Sequence, residues 1–284
     1  MSERRSRAQR PAAGRWRLTE RDRTILHSVG RMAQATTDQV CRLFFGETST
    51  ASRRLAKLVA ARLLDVRVCD PSAPNVYTLS SRGLQLLSGS GVDAVELHCS
   101  RVGRHLDEHL RAINDIRVEF VLVTRQQNAL QVDAFHSDLD LRRASGSPPP
   151  AYLPDAMVEL AMTPGRLALV VEIDTGSESA AVFARKVDAT VSLWRANRKC
   201  WGAAPGTWRP AVFVPSEGRA RALARTIVER GGGPLWLVAE TAKVRRTGIL
   251  GAVFATADNV AATPRLRPVS YAGSLVGRSA GVKP

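Results

Sequence analysis

Three acidic side chains in the second half of the chain have the types and spacing for phosphodiester chemistry. Pro154-Asp155 reads as the opening of one strand, and Glu172-Ile173-Asp174 as the end of another. Alternate residues of a strand share a face. Glu172 and Asp174 should therefore point the same way, and a hairpin pairing of the two strands would bring Asp155 to join them. Three carboxylates converging at a strand end suit Mg²⁺, which takes a few carboxylates and keeps several waters. Such an ion activates water and offsets the charge of a phosphodiester under attack. Asp155, Glu172 and Asp174 are thus the metal candidates, and Mg²⁺ is the cofactor their chemistry would need. A plainer arrangement has Asp155 capping a turn, with Glu172 and Asp174 a solvated strand end.

The elements that must position these residues follow from periodicity. A long amphipathic helix is predicted over about 104–125, with Leu106, Leu110, Ile113, Phe120 and Val121 inward. A strand near 129–135 precedes a loop at 144–150 that contains Pro148-Pro149-Pro150. Strands at 155–160 and 167–174, a helix over 178–196, a strand at 211–214, a helix over 217–230 and a strand at 235–238 complete an α/β pattern over about 104–240. Trp194 and Trp236 read as core, Trp201 and Trp208 as loop anchors. The stretch 241–284 is basic, rich in Gly and Ala, and weakly periodic, so a mostly disordered tail is expected there.

The Pro-Asp…Glu-x-Asp pattern in this order of elements resembles the PD-(D/E)xK nuclease superfamily, in which the first acid opens the second core strand and the second acid sits on the third. Asp155 and Glu172 match those two positions. Asp174 stands where that superfamily usually carries its lysine. In some members the lysine lies on the following helix, which makes Lys186 the candidate here, and an extra acid on the preceding helix would be Glu108. The resemblance implies a restriction-endonuclease-like mixed sheet, a catalytic set of Asp155, Glu172, Asp174 and Lys186, and Mg²⁺ held by the three acids.

The first 90 residues follow a different plan. Residues 1–17 carry six arginines, with Pro11 and Gly14, and read as a disordered basic arm. Thr19 with Asp22 three residues on begins a helix in capping-box fashion, and Ile25, Val29 and Met32 follow at helical spacing. A second helix starts at Thr36 or Thr37 and stops at Gly46. A third runs from about Ser49 to Ala61 with Leu55, Leu58 and Val59 inward. Strands at 64–68 and 76–79 flank a polar turn, and Ser80 or Ser81 caps a helix carrying Leu84, Leu86 and Leu87. Three short helices followed by a hairpin form the winged helix-turn-helix plan, an α+β unit over 18–90, with the third helix as the reader of the DNA major groove. Its outward candidates are Thr50, Ser52, Arg53, Arg54 and Lys57; Arg67 lies on the wing and residues 70–74 form its tip. Arginine reaches guanine edges bidentately, and short hydroxyls contact bases or phosphates. Tyr77-Thr78-Leu79-Ser80-Ser81-Arg82-Gly83-Leu84 resembles the stretch that closes the wing in many bacterial winged-helix regulators. A protein–protein module of the same fold is the alternative. The Ser88-Gly89-Ser90-Gly91 run marks the boundary between the two units.

The totals agree with a nucleic-acid partner. The chain has 284 residues, 44% of them hydrophobic, and a formal net charge of +15, a balance that favours polyanions. Its cysteines, Cys41, Cys69, Cys99 and Cys200, fall at neither zinc-knuckle nor disulfide-framework spacings. His105, Glu108 and His109 share a helical face, but their order is not that of a zinc protease. No apolar leader opens the sequence and no apolar run is of membrane-spanning length, so a cytoplasmic location without a membrane partner is expected. Taken together, the winged-helix plan, Leu153-Pro154-Asp155-Ala156, Val171-Glu172-Ile173-Asp174-Thr175-Gly176-Ser177-Glu178 and Lys186 resemble the plasmid replication-relaxation protein family over about 18–240. Ser177 and Thr175 replace that family's more usual Thr and Arg. The resemblance implies plasmid maintenance or transfer, with double-stranded DNA, plasmid replication or transfer proteins and a second copy of the chain as partners. A metal-dependent endonuclease or nickase, and a winged-helix transcriptional regulator whose second unit dimerises or senses a ligand, are the competing readings.

Overall fold

The computed structural model describes residues 17–68, 74–93, 97–98, 107–126, 130–145, 152–162, 165–249 and 253–262. The basic arm as far as residue 16, the turn residues 69–73, His105, the prolines of 148–150 and the stretch 263–284 lie outside them.

The first unit is built by its caps. Helix α1 (Glu20–Arg31) starts at Thr19, whose side chain accepts from Asp22 N–H while the Asp22 carboxylate accepts from Thr19 N–H. Helix α2 (Thr37–Phe44) starts at Thr36 with the same reciprocal box to Gln39. Helix α3 (Thr48–Ala60) follows after Gly46. Strand β1 (Ala35–Thr36), which period-two reasoning had no length to detect, joins β2 (Leu64–Arg67) and β3 (Val76–Leu79) in an antiparallel sheet ordered β1-β3-β2. Helix α4 (Ser81–Ser88) is capped by Ser80, whose Oγ accepts from Gly83 N–H at 2.9 Å. Gly83 is there for proximity: a Cβ would lie 2.3 Å from the Leu63 carbonyl oxygen and 2.7 Å from a Leu79 methyl. Ile25, Leu26, Val29, Leu55, Leu58, Leu64 and Leu79 close the core beneath these elements.

The second unit begins with α5 (Asp107–Gln126). Strand β4 (Leu130–Ser137), helix α6 (Asp138–Ser145), strands β5 (Ala156–Met162) and β6 (Gly165–Ile173), helix α7 (Ala180–Arg195), strand β7 (Trp208–Val214), helix α8 (Glu217–Glu229) and strand β8 (Leu237–Glu240) follow in order. The sheet is mixed: β4, β5 and β6 form an antiparallel meander, and β6, β7 and β8 run parallel. Parallel neighbours need a crossover, and α7 and α8 supply the two that link β6, β7 and β8. One face packs on α5 through Leu169, Val171 and Ile173; the other packs on α7 and α8 through Val212, Val214 and Val238.

Two expectations are corrected. The chain stays ordered past residue 240: α9 (Thr241–Thr247), β9 (Phe254–Thr256) and α10 (Ala257–Ala262) extend the fold, with β9 pairing antiparallel to β8 as the sixth strand. Val244, Val253, Phe254 and Val260 are all buried. Each of these elements is too short to build a visible period. Trp208 is a fully buried residue rather than a loop anchor, its ring edge-on to Trp194 with centroids 5.2 Å apart.

Helix α5 touches both units. Ile113, Ile116, Phe120 and Val123 enter the core beneath the six-stranded sheet, while Val118 enters the core of the first unit. The Gly83 contact gives a direct test of the first unit's packing. Gly83→Ala should destabilise it by about 2 kcal/mol, because overpacking against a backbone carbonyl cannot relax by rotamer change. A lowered urea midpoint at unchanged slope would show this; an unchanged midpoint would mean that α4 does not sit this close.

Candidate functional site

The acidic cluster lies where β5 begins and β6 ends. Asp155, just before β5, is fixed by its backbone: its N–H donates to Val171 O at 3.0 Å and its carbonyl accepts from Asp138 N–H at 2.8 Å. Its Oδ2 accepts from Ile173 N–H at 2.7 Å, and its Oδ1 faces His109 Nε2 of α5 at 3.0 Å. The hairpin pairing anticipated from sequence is present, with Ala156 opposite Val171. Glu172 follows Val171 on β6 but points to the opposite face, towards α7. It is only 1% exposed. Its Oε1 accepts from the Tyr152 hydroxyl at 2.7 Å and its Oε2 from Lys186 Nζ at 2.7 Å. Lys186 Nζ also lies 2.9 Å from Glu178 Oε1.

Lys186 is thus brought to Glu172, Asp155 is near enough to act on the charge of both, and Asp174 has a different partner. Asp174 falls one residue beyond β6, where strand alternation no longer sets direction. Its carboxylate takes Arg219 Nε at 2.5 Å, Arg219 Nη2 at 3.0 Å and Gly176 N–H at 3.2 Å. Among the described residues no three His, Cys, Asp or Glu side chains stand so as to hold one metal ion. The expectation of three carboxylates converging on Mg²⁺ is corrected accordingly: Asp174 is spent on Arg219, and both oxygens of Glu172 are already taken by Tyr152 and Lys186. The donor set as arranged does not fit the ion, and no metal step is derived from it. Glu108 is exposed and lies beside Arg111, outside the cluster.

Electrostatics mark this as an unusual place. Burial, reinforced by the neighbouring Asp155 and opposed by Lys186, pushes the Glu172 carboxyl up to about 8. Burial works against the charge on Lys186, but Glu172 and Asp155 outweigh it and hold the ammonium above its ordinary value. The hydrogen bond to Asp155 raises His109 against the pull of burial. Burial beside Glu172 drives the Tyr152 phenol well above its usual value. His109, Tyr152, Glu178 and Arg219 are the members that sequence reasoning missed in these roles. Glu178 lies in the same acidic stretch as Glu172, but nothing local in the sequence marks Tyr152 or Arg219.

The second candidate region is α3. Ser52, Arg53 and Lys57 are exposed and Thr50 is half-buried, while Ala51, Leu55 and Leu58 are buried beneath them. Arg53 stays on its own helix, with Nη2 3.4 Å from Thr50 Oγ1. Arg54 does not share the outward face. Its Nε donates to Asp22 Oδ1 at 2.5 Å and its Nη2 forms a second, shorter bond to Oδ2. Adjacent helical residues point about 100° apart, so Arg54 turns towards α1 where Arg53 faces solvent. Asp22 is fully buried. Burial alone would raise its pKa, but the Arg54 bond and the Thr19 cap bring it below the ordinary value. Arg67 on β2 is half-buried.

Comparison with known proteins gives one result. A family model described as replication-relaxation matches residues 26–207, a span that runs from within α1 to the residue before β7 and includes the acidic cluster and Lys186. No curated protein matches, and no solved structure matches.

The raised Glu172 carboxyl makes a prediction. A carboxyl whose folded value lies above its unfolded one stabilises the fold while protonated, and that stability falls as pH climbs from its ordinary value of 4.5 through about 8. Glu172→Gln keeps an acceptor for Lys186, presents an amide N–H that the Tyr152 hydroxyl can accept, and does not ionise. The variant should therefore gain on the native chain across that window, by roughly a few kcal/mol. Parallel melting curves at pH steps check this, and a gap that shrinks with rising pH would contradict it.

Proposed function

The chain belongs to the replication-relaxation family, and we propose that it serves plasmid replication or relaxation by binding double-stranded DNA through its first unit. The observation that carries this is the two-faced α3, with Ala51, Leu55 and Leu58 buried and Ser52, Arg53 and Lys57 in solvent. Three helices with a three-stranded antiparallel sheet ordered β1-β3-β2 agree with a winged helix-turn-helix, in which α3 would lie in the major groove and β2–β3 would form the wing. The net charge of +15 supplies the non-specific attraction to phosphate. In this reading Arg54 orients α3 against α1 instead of touching DNA, Thr50 and Ser52 make short polar contacts, and Arg67 lies near the backbone. The partners are plasmid DNA, replication or transfer proteins and a second copy of the chain. Among the described residues no helix is long and apolar enough to cross a membrane, and a cytoplasmic place is part of the same proposal.

Arg53→Ala and Lys57→Ala should each weaken binding roughly tenfold and lower the salt slope by about one. Arg54→Ala should instead destabilise the fold by about 3 kcal/mol, because it strands the buried Asp22. Fluorescence anisotropy across a salt series, alongside urea unfolding, separates the two effects. Unchanged affinity in the Arg53→Ala, Lys57→Ala double variant would overturn the assignment of α3.

For the second unit, the meander β4–β6 passing into parallel β7 and β8, with Asp155 opening β5 and Glu172 on β6, agrees with a PD-(D/E)xK-like sheet. We read this unit as a nuclease-like body whose acids are neutralised by Lys186, Arg219 and His109, serving contact with DNA or a partner. The second reading, a Mg²⁺-dependent endonuclease or nickase, is favoured by one observation: Lys186 reaches Glu172 from the following helix. The two readings part cleanly. Supercoiled plasmid incubated with the protein and Mg²⁺ or Mn²⁺ should stay supercoiled. Nicking that disappears in Asp155→Ala and Glu172→Ala would replace the first reading with the endonuclease. A regulator whose second unit only dimerises would lack any plasmid-replication phenotype when that unit is disrupted.

A further inference from the structure

A cavity of about 170 Å³ lies between α1, α2 and α5, on the side of the first unit where α5 crosses it. Its floor is apolar: Met32, Leu43 and Val118 are buried, and Phe44 and Val121 close its sides. Its rim is cationic. Arg31 comes from the end of α1, and Arg117 and Arg125 come from positions about two turns apart on α5, with His27, Thr24 and Ser28 alongside. Among the described residues no carboxylate lines it.

The arginines have a structural duty, and it does not use up their charge. Arg117 Nη1 donates to Arg31 O at 2.8 Å, at the end of α1. Arg125 Nη1 donates to Leu43 O, near the end of α2. Each helix end carries roughly half a negative charge, so the two ends together offset about one of the two guanidinium charges. Asp140, outside the lining, also acts on Arg117 and Arg31, so three guanidinium charges set against two helix ends and one carboxylate leave about one positive charge. The Arg117 guanidinium lies over the Phe135 ring at 5.1 Å, and Arg125 lies over Phe44 at 5.9 Å. Both are thereby held in fixed planes beside the cavity. Burial, with Arg31 adding to it and Asp140 only partly opposing it, depresses Arg117 to about 10.

We propose that this cavity binds a small organic anion with an apolar body of about one ring and one phosphate or carboxylate group. Size sets the apolar part: an apolar cavity of about 150 Å³ is enough to take benzene. Charge sets the polar part: a guanidinium fork matches phosphate and carboxylate alike. The ligand would touch α1, α2 and α5 at once.

The test uses the full-length protein and four probes: phenyl phosphate, benzoate, inorganic phosphate and phenol, each titrated by calorimetry and by thermal shift. Phenyl phosphate, benzoate or both should bind saturably and raise the melting temperature. Inorganic phosphate and phenol should bind at least about tenfold more weakly, each lacking one half of the recognition. Val121→Trp fills the cavity and leaves every charge in place, so it should abolish binding. Arg117→Gln should weaken it at least about tenfold. Because Arg117 also holds the end of α1, the Val121→Trp variant keeps the test sound if Arg117→Gln unfolds. No saturable binding of either ring-bearing anion, binding that survives Val121→Trp in a folded protein, or inorganic phosphate as tight as phenyl phosphate would each overturn the proposal.

Discussion

Everything in this molecule hangs on α5 being buried from two sides. A helix with one apolar stripe docks on one neighbour; α5 sends Ile113, Ile116 and Phe120 to the six-stranded sheet and Val118 to the core of the first unit. Its polar residues make the second attachment specific. Asn114, 1% exposed, donates to Met32 O and Gln34 O, capturing the chain between α1 and α2. Gln39 donates back to Arg111 O and to Asp115, and Arg42 pairs with Glu119 at 2.5 Å. A buried amide that lost these partners would leave two carbonyls unpaired at about 1–3 kcal/mol each. The seam is thus held by directional bonds that admit one register, and apolar contact supplies the bulk of the attraction. His109, on the same helix, reaches Asp155, so one element touches the first unit and the acidic cluster together.

The sequence was most legible where local chemistry decides. Thr19 with Asp22, Thr36 with Gln39, and Ser80 each announce a helix start through a reciprocal or single cap, and the structure places helices there. The meander acids were legible because strand pairing set by Asp155 and Glu172 needs only neighbouring segments. Direction was lost where long-range partners decide it. Arg53 and Arg54 look alike in sequence, yet the position of α1, 32 residues away at Asp22, takes one and leaves the other. Asp174 looked equivalent to Glu172 until Arg219, 45 residues on, arrived through the crossover to α8. The segments after residue 240 were missed for another reason. Elements of seven, three and six residues are shorter than the windows in which periodicity accumulates.

The acidic cluster is costly to keep, and that bears on what it is for. Glu172 is buried with Tyr152, Lys186 and, through Lys186, Glu178. Taking such charges out of water consumes most of what their attraction returns, and well-packed apolar residues in their place are often neutral or more stable. Stability alone therefore gives no reason for a lysine and two acids at the end of a sheet whose interior could be filled with valine and leucine, as it is a few residues away at Leu167, Leu169 and Val171. Nor does the cluster lie at random. It sits where the meander turns parallel, beside the His109 end of the helix that joins both units, within the span the family model covers. Polar groups held at such expense, beside a unit we propose to bind DNA, are better explained by contact with phosphate or a partner than by the fold. Under the proposed function, the pairing of each acid with a cation would serve that contact, because it removes the repulsion that bare carboxylates offer to an approaching polyanion.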